Sequence, residues 1–174
     1  NINSVGYDCG NLKILSQKHK NHLQEIEFLY KKKTYQLKTS LFGQYQIKNL
    51  LFAILLAEKC GLSIKKSLNK TKYIKSAKGI LDCVKKLKNN SKIFVDFAHT
   101  PDALERVLKN LKFQFKKNIL IVFGCGGDRD KGKRSIMGHI ASKYCKKIYL
   151  TDDNPRFENP KSISCLLYTS DAAD

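Results

Sequence analysis

Phosphate chemistry is the clearest signal in the chain, in the stretch Phe123 to Arg134, FGCGGDRDKGKR. Gly124, Gly126 and Gly127 let backbone N–H groups close on an oxyanion, while Arg129, Lys131, Lys133 and Arg134 add cations. Two other clusters have chemical potential. Asp96-Phe-Ala-His99 offers a carboxylate and an imidazole, and His99 suits contact with a nucleotide or a phosphate. Asp153-Asn-Pro-Arg156 offers a carboxylate, an amide and a guanidinium on a turn stiffened by proline, and Arg156 can take a substrate carboxylate with two parallel N–H donors. Each cluster also has a plain structural reading: a turn with solvated charges, a helix-entry histidine with a satisfied ring, and an Asx turn with an exposed arginine.

Two familiar phosphate motifs nearly fit the central loop. Gly127-x-x-x-x-Gly132-Lys133 matches most of a P-loop, but Arg134 stands where Ser or Thr would hold magnesium. The dinucleotide fingerprint fails because Arg129 takes the third glycine position after Gly124 and Gly126.

The elements that must position these clusters can be read from periodicity. Asn118–Phe123 is an apolar run suited to a buried parallel strand, and Ser135–Tyr144 carries apolar residues at helical spacing. Thr100 and Pro101 are good N-cap and first-turn residues for a helix from Pro101 to about Leu111. With strands at Lys92–Phe97 and Lys147–Thr151, the order predicts a parallel sheet with right-handed crossovers. All three polar clusters would then share the carboxyl edge, where such sheets bind ligands. Upstream, Glu25–Tyr30 and Thr34–Leu37 flank Lys31–Lys33 as an antiparallel hairpin. A strongly apolar helix from about Tyr45 stops at Gly61, and a second runs from Ile64 to about Thr71. Residues Tyr73–Lys78 read as a linker, followed by a hairpin with its turn at Asn89–Asn90.

Composition narrows the function classes. A net charge of +18 first suggests nucleic acid, but of 33 basic residues only Arg106, Arg129, Arg134 and Arg156 are Arg. Base and phosphate readers favour the planar guanidinium, and here lysine is spread along the whole chain. A basic nucleic-acid-binding module is therefore the weaker alternative. Six cysteines form no C-x-x-C pair, so free thiols in a reducing cytoplasm are expected, with Cys125 structural. His19 and His22 lack further ligands for a metal, and no metal-binding residues are assigned. The longest apolar run, Leu50–Ala57, is too short to span a bilayer.

Read together, VDFAHTPDALERVL (Val95–Leu108), FGCGGDRDKGKRSIMG (Phe123–Gly138) and TDDNPR (Thr151–Arg156) closely resemble the Mur ligases. FGQYQIKNL (Phe42–Leu50) is similar to that family's G-x-F/Y-N-x-x-N segment. The likeness covers roughly residues 40 to 160. It implies an α/β chain in which residues 1–78 end a central ATP-binding domain. Residues 79–174 would then begin a truncated Rossmann-like C-terminal domain with a mainly parallel sheet. It implies a monomeric, cytoplasmic, ATP- and Mg2+-dependent amide ligase of peptidoglycan synthesis, serving cell-wall biogenesis, cell shape and cell division. Within the family the likeness is to ligases joining meso-diaminopimelate to UDP-N-acetylmuramoyl-L-alanyl-D-glutamate through an acyl phosphate.

By the same resemblance, Lys131 and Asp128 are catalytic and near the nucleotide phosphates, with Asn49 and His99 also contacting ATP. Arg129, Asp153, Asn154, Pro155 and Arg156 would hold diaminopimelate. No nucleic-acid or membrane partner is implied. Another Mur ligase or a folylpolyglutamate synthetase relative is the alternative. Lys78-Gly79-Ile80 departs from the family's usual Pro-Gly-Arg turn. The abrupt opening at Asn1 reads as an internal fragment, expected to be inactive alone. Cys165–Asp174 lacks Lys and Arg, so a non-native, poorly packed tail is expected there.

Overall fold

A computed structural model describes residues 4–7, 10–20 and 23–168 of the chain. It divides into two compact units between Asp96 and Phe97.

In the first unit, strands β1 (Val5–Gly6), β2 (Leu12–Lys20), β3 (Leu23–Tyr30) and β4 (Lys33–Thr39) pair in that order. The β1–β2 pair is parallel and the others are antiparallel. The expected hairpin is β3–β4. Along β3 every second residue is buried, placing Gln24, Ile26, Phe28 and Tyr30 on one face, which is the period-two signature of a half-buried strand. Helix α1 (Gln44–Lys59) covers that face with Ile47, Leu50, Leu51, Ile54 and Leu55. Each such side chain contributes about 1.5–3 kcal/mol on leaving water.

Gly43 precedes α1 with φ 85°, and a Cβ there would lie 2.8 Å from Leu81 Cδ1, so conformation and space both require glycine. Helix α2 (Ile64–Lys70) and a 3₁₀ turn at Thr71–Tyr73 follow. Gly79, at φ 71°, lies in a turn closed from Ile80 N to Ala77 O (3.1 Å). Strands β5 (Asp82–Lys86) and β6 (Lys92–Val95) form an antiparallel hairpin, as the sequence predicts.

The second unit contains α3 (Pro101–Phe115), β7 (Leu120–Phe123), α4 (Gly132–Tyr144), β8 (Lys147–Leu150) and α5 (Pro160–Tyr168). Thr100 caps α3, its Oγ1 accepting from Ala103 N at 3.3 Å, with Pro101 as first helical residue. Strands β7 and β8 are parallel, pairing Leu120 with Lys147 through Phe123 with Leu150. Leu104, Leu108, Cys125, Met137, Ile140, Ile163 and Leu167 form the core.

Three expectations need correction. Strand β6 pairs with β5 in its own two-stranded sheet, and the parallel sheet among the described residues is β7–β8. The Asp96–His99 cluster therefore does not end a strand of that sheet. Helix α4 begins at Gly132 rather than Ser135, taking in the last cations of the loop. The tail is not poorly packed at Leu167, which α5 buries to 2% exposure beside Ile163. Cys9 and His22 lie outside the described residues, as do the His19 side chain and residues 169–174.

Candidate functional site

The loop after β7 and the turn after β8 are built against one another. Pairing continues past the strands through Thr151 N to Phe123 O (3.1 Å), and then Gly127 N donates to Asn154 O at 2.8 Å. Two glycines make this approach possible. A Cβ on Gly124 would lie 2.1 Å from Thr151 O, and one on Gly127 would lie 1.8 Å from Pro155 O. Their first role is thus to admit the neighbouring backbone.

Side chains complete the join. Asp128, at φ 49°, accepts from Phe157 N at 3.2 Å through Oδ2. Arg156, at φ 48°, donates from Nη1 to the Gly127 carbonyl. Asn154 Oδ1 accepts from Arg156 N at 3.2 Å, so the Asx turn is present. The Arg156 side chain is exposed, with its guanidinium tethered to the loop through that one bond. Arg129, Asp153 and Asn154 are exposed, and Pro155 is half-buried.

The four cations have separate fates. Arg134 is fully buried and makes a bidentate pair with Glu158, Nη1 to Oε2 at 2.9 Å and Nη2 to Oε1 at 2.8 Å. It also reaches Gly126 O at 3.3 Å. Arg134 is therefore a structural residue and not part of an open anion site. Lys133 donates to His99 O at 2.9 Å. Lys131 is largely exposed, with its ammonium 3.7 Å from Glu158 Oε2. At the start of α4, Gly132 N donates to Asp130 Oδ1 at 2.9 Å, so that N–H is already satisfied.

His99 is exposed, with Nδ1 3.1 Å from Phe97 O. A carbonyl only accepts, so this contact calls for a proton on Nδ1. Asn49 is exposed on α1 in the first unit. The second unit thus brings together His99 (through Lys133), Asp128–Arg134 and Asp153–Arg156.

Sequence reasoning missed Glu158. Its Oε1 also accepts from Asp128 N at 2.6 Å. The hydrogen bonds from Arg134, aided by the Asp128 N–H and the nearby Lys131, outweigh burial and lower its pKa from 4.5 to about 2. The available signal was an acid two residues after Arg156, in a chain with 15 acids, facing one of only four arginines. Cys125 is buried beside Met137, with Sγ 3.8 Å from Sδ, and burial raises its thiol pKa. It is therefore a poor nucleophile.

Among the described residues no group of three or more His, Cys, Asp or Glu is placed to hold a metal ion. No described helix is long and apolar enough to cross a membrane.

Comparison with known proteins decides the family. Residues 81–171 match the model of the Mur ligase glutamate ligase domain. The chain belongs to the Mur ligase family. The match opens at the β5–β6 hairpin and takes in the loop, the turn and α5. A UDP-N-acetylmuramoyl-L-alanyl-D-glutamate–2,6-diaminopimelate ligase from Rickettsia conorii is 43% identical over 143 residues, 80% of this chain and 29% of the relative. The enzyme of that name from Mesorhizobium japonicum is 39% identical over 163 residues, 94% of this chain and 34% of the relative. A solved structure of a protein with this name superposes with a TM-score of 0.65 at 30% identity, covering 92% of this chain and 32% of that one. The chain thus spans about a third of the length of the curated relatives it matches. As Mur ligase sequence, the α/β fold and parallel β7–β8 pair agree with expectation.

Proposed function

We propose that this chain is part of an ATP-dependent amide ligase joining meso-diaminopimelate to UDP-N-acetylmuramoyl-L-alanyl-D-glutamate in peptidoglycan synthesis. Residues 1–78 would belong to its ATP-binding domain and 79–174 to its amino-acid-binding domain. The observation that carries the reading is the Gly127–Asn154 join, which sets the cation-bearing loop beside the Asp153–Arg156 turn. The names of the relatives supply the substrates.

In this reading ATP phosphorylates the glutamate side-chain carboxylate, and an amine of diaminopimelate attacks the acyl phosphate, releasing phosphate. Lys131 is the exposed lysine of the loop and stabilises charge that builds on the transferring phosphoryl group. Asp128 shapes the loop through Phe157 N and holds its carboxylate near the phosphates. His99 offers Nε2 to the nucleotide, and Asn49 contributes from α1.

Arg129 and Arg156 suit the second carboxylate that distinguishes diaminopimelate from lysine. Asp153 and Asn154 meet the ammonium at that end, with Pro155 fixing the turn. For magnesium, no group of three or more His, Cys, Asp or Glu is placed to hold the ion among the described residues. The nucleotide substrates place the reaction in the cytoplasm, and the full-length enzyme is taken as a monomer. Phosphate release by the full-length protein tests the reading. It should require ATP, the UDP-linked dipeptide and diaminopimelate together; release with lysine but not diaminopimelate would overturn the substrate.

A further inference from the structure

Glu158 stands at the end of the turn, and its side chain reaches across to the loop and to α4. Its Oε1 accepts from Asp128 N (2.6 Å) and from Arg134 Nη2 (2.8 Å). Its Oε2 accepts from Arg134 Nη1 (2.9 Å) and lies 3.7 Å from Lys131 Nζ. Its own N–H closes the turn by donating to Pro155 O at 3.0 Å. Along the chain it stands two residues from Arg156, whose guanidinium returns to Gly127. The carboxylate therefore fixes the phosphate loop and the turn at the same time. Beneath it, Arg134 is inaccessible to substrate and has its Nε unpaired. A buried ion pair with an unsatisfied donor is a poor way to gain stability alone, because desolvation offsets much of the attraction. Its yield here is geometry.

We propose that the Arg134–Glu158 pair is a positioning element that holds Lys131 and Arg156 at a fixed separation, so that the phosphate side and the amino-acid side of the site act as one rigid unit. Glu158 also holds the Lys131 ammonium in place until a phosphate replaces it. That contact is long and Lys131 is 67% exposed, so the exchange costs little. Neither residue touches the reacting atoms. The inference rests on the functional reading above.

The test is steady-state kinetics of the full-length ligase carrying Glu158→Gln or Glu158→Asp, beside Lys131→Ala and Arg156→Ala. Gln keeps the shape and loses the charge, while Asp keeps the charge one methylene short. Both Glu158 variants should raise the KM for ATP and the KM for diaminopimelate together, by about fivefold or more. Lys131→Ala should act mainly on the ATP side and Arg156→Ala mainly on diaminopimelate. Glu158→Gln combined with Arg156→Ala should fall short of the product of the single effects, since both loosen the same join. Hydrogen exchange at residues 124–131 and 151–158 should quicken in the Glu158 variants. If Glu158→Gln does not fold, Glu158→Asp decides.

An active wild type whose folded Glu158 variants keep both KM values overturns the positioning role alone. So does a change in only one KM. A wild type with no diaminopimelate-dependent activity overturns the functional reading, and the inference with it.

Discussion

Lys131 and Glu158 carry opposite burdens at the site. Lys131, like Arg129, remains largely exposed after Arg134 has been buried and Lys133 has bonded His99 O. If its charge meets phosphate in the transition state, Lys131→Ala in the full-length enzyme should lower turnover by more than about tenfold. Unchanged kinetics would return the loop to a purely structural role. Glu158 has a proton-linked signature. Its pKa is depressed in the folded state, from 4.5 to about 2. The stability it contributes is therefore complete above about pH 4.5 and is lost as pH falls towards 2. Thermal melts across that window should show the wild type approaching Glu158→Gln as acid is added. A constant gap between them would contradict the depressed carboxyl.

Elements place these residues by backbone contact more than by side-chain choice. Strands β7 and β8 bring their two exits together, and Gly124 and Gly127 let the exits touch. Helix α5 supports the same unit by burying Ile163 and Leu167. Leu167→Ala should cost about 2–5 kcal/mol, the range for a core leucine truncated to alanine. Denaturant unfolding checks this, and a loss under about half a kcal/mol would make the end of α5 an unpacked tail.

Much of this element map was legible. Alternation marked β3, Thr100–Pro101 marked the start of α3, and apolar runs marked β7 and β8. Two features were not. The β5–β6 hairpin was legible, but whether β6 also joins the parallel strands depends on long-range pairing, which a four-residue strand does not encode. α5 runs into Cys165–Asp174, a stretch whose composition departs from the rest of the chain, yet its Ile163 and Leu167 lie one turn apart on a single face.

At the scale of the molecule, the motifs alone carry the family resemblance, and the loop and turn meet as a shared carboxyl edge requires. The sequence could not show which loop cations were already engaged. Arg134 and Arg129 read alike in a string of charges, yet one is buried on Glu158 and the other exposed. Burial is a property of the packed unit, and only Glu158, 24 residues further on, explains it.

The claim that joins these scales is that the turn selects the amino acid. Arg156 already donates to Gly127 O, so its fork is oriented before substrate arrives and little entropy is lost on binding. In the proposed reading, a charge-assisted pair with the far carboxylate of diaminopimelate would contribute about 1.5–3 kcal/mol, roughly ten- to more than hundredfold in preference over lysine. The deciding measurement is the ratio of kcat/KM for diaminopimelate to that for lysine in full-length wild type, Arg156→Ala and Arg156→Lys. The ratio should fall by about tenfold or more in Arg156→Ala, with the KM for ATP little changed. Arg156→Lys should recover only part of it, because a point charge lacks the fork. An Arg156→Ala enzyme that keeps the wild-type preference would make Arg156 a turn residue alone and contradict the account.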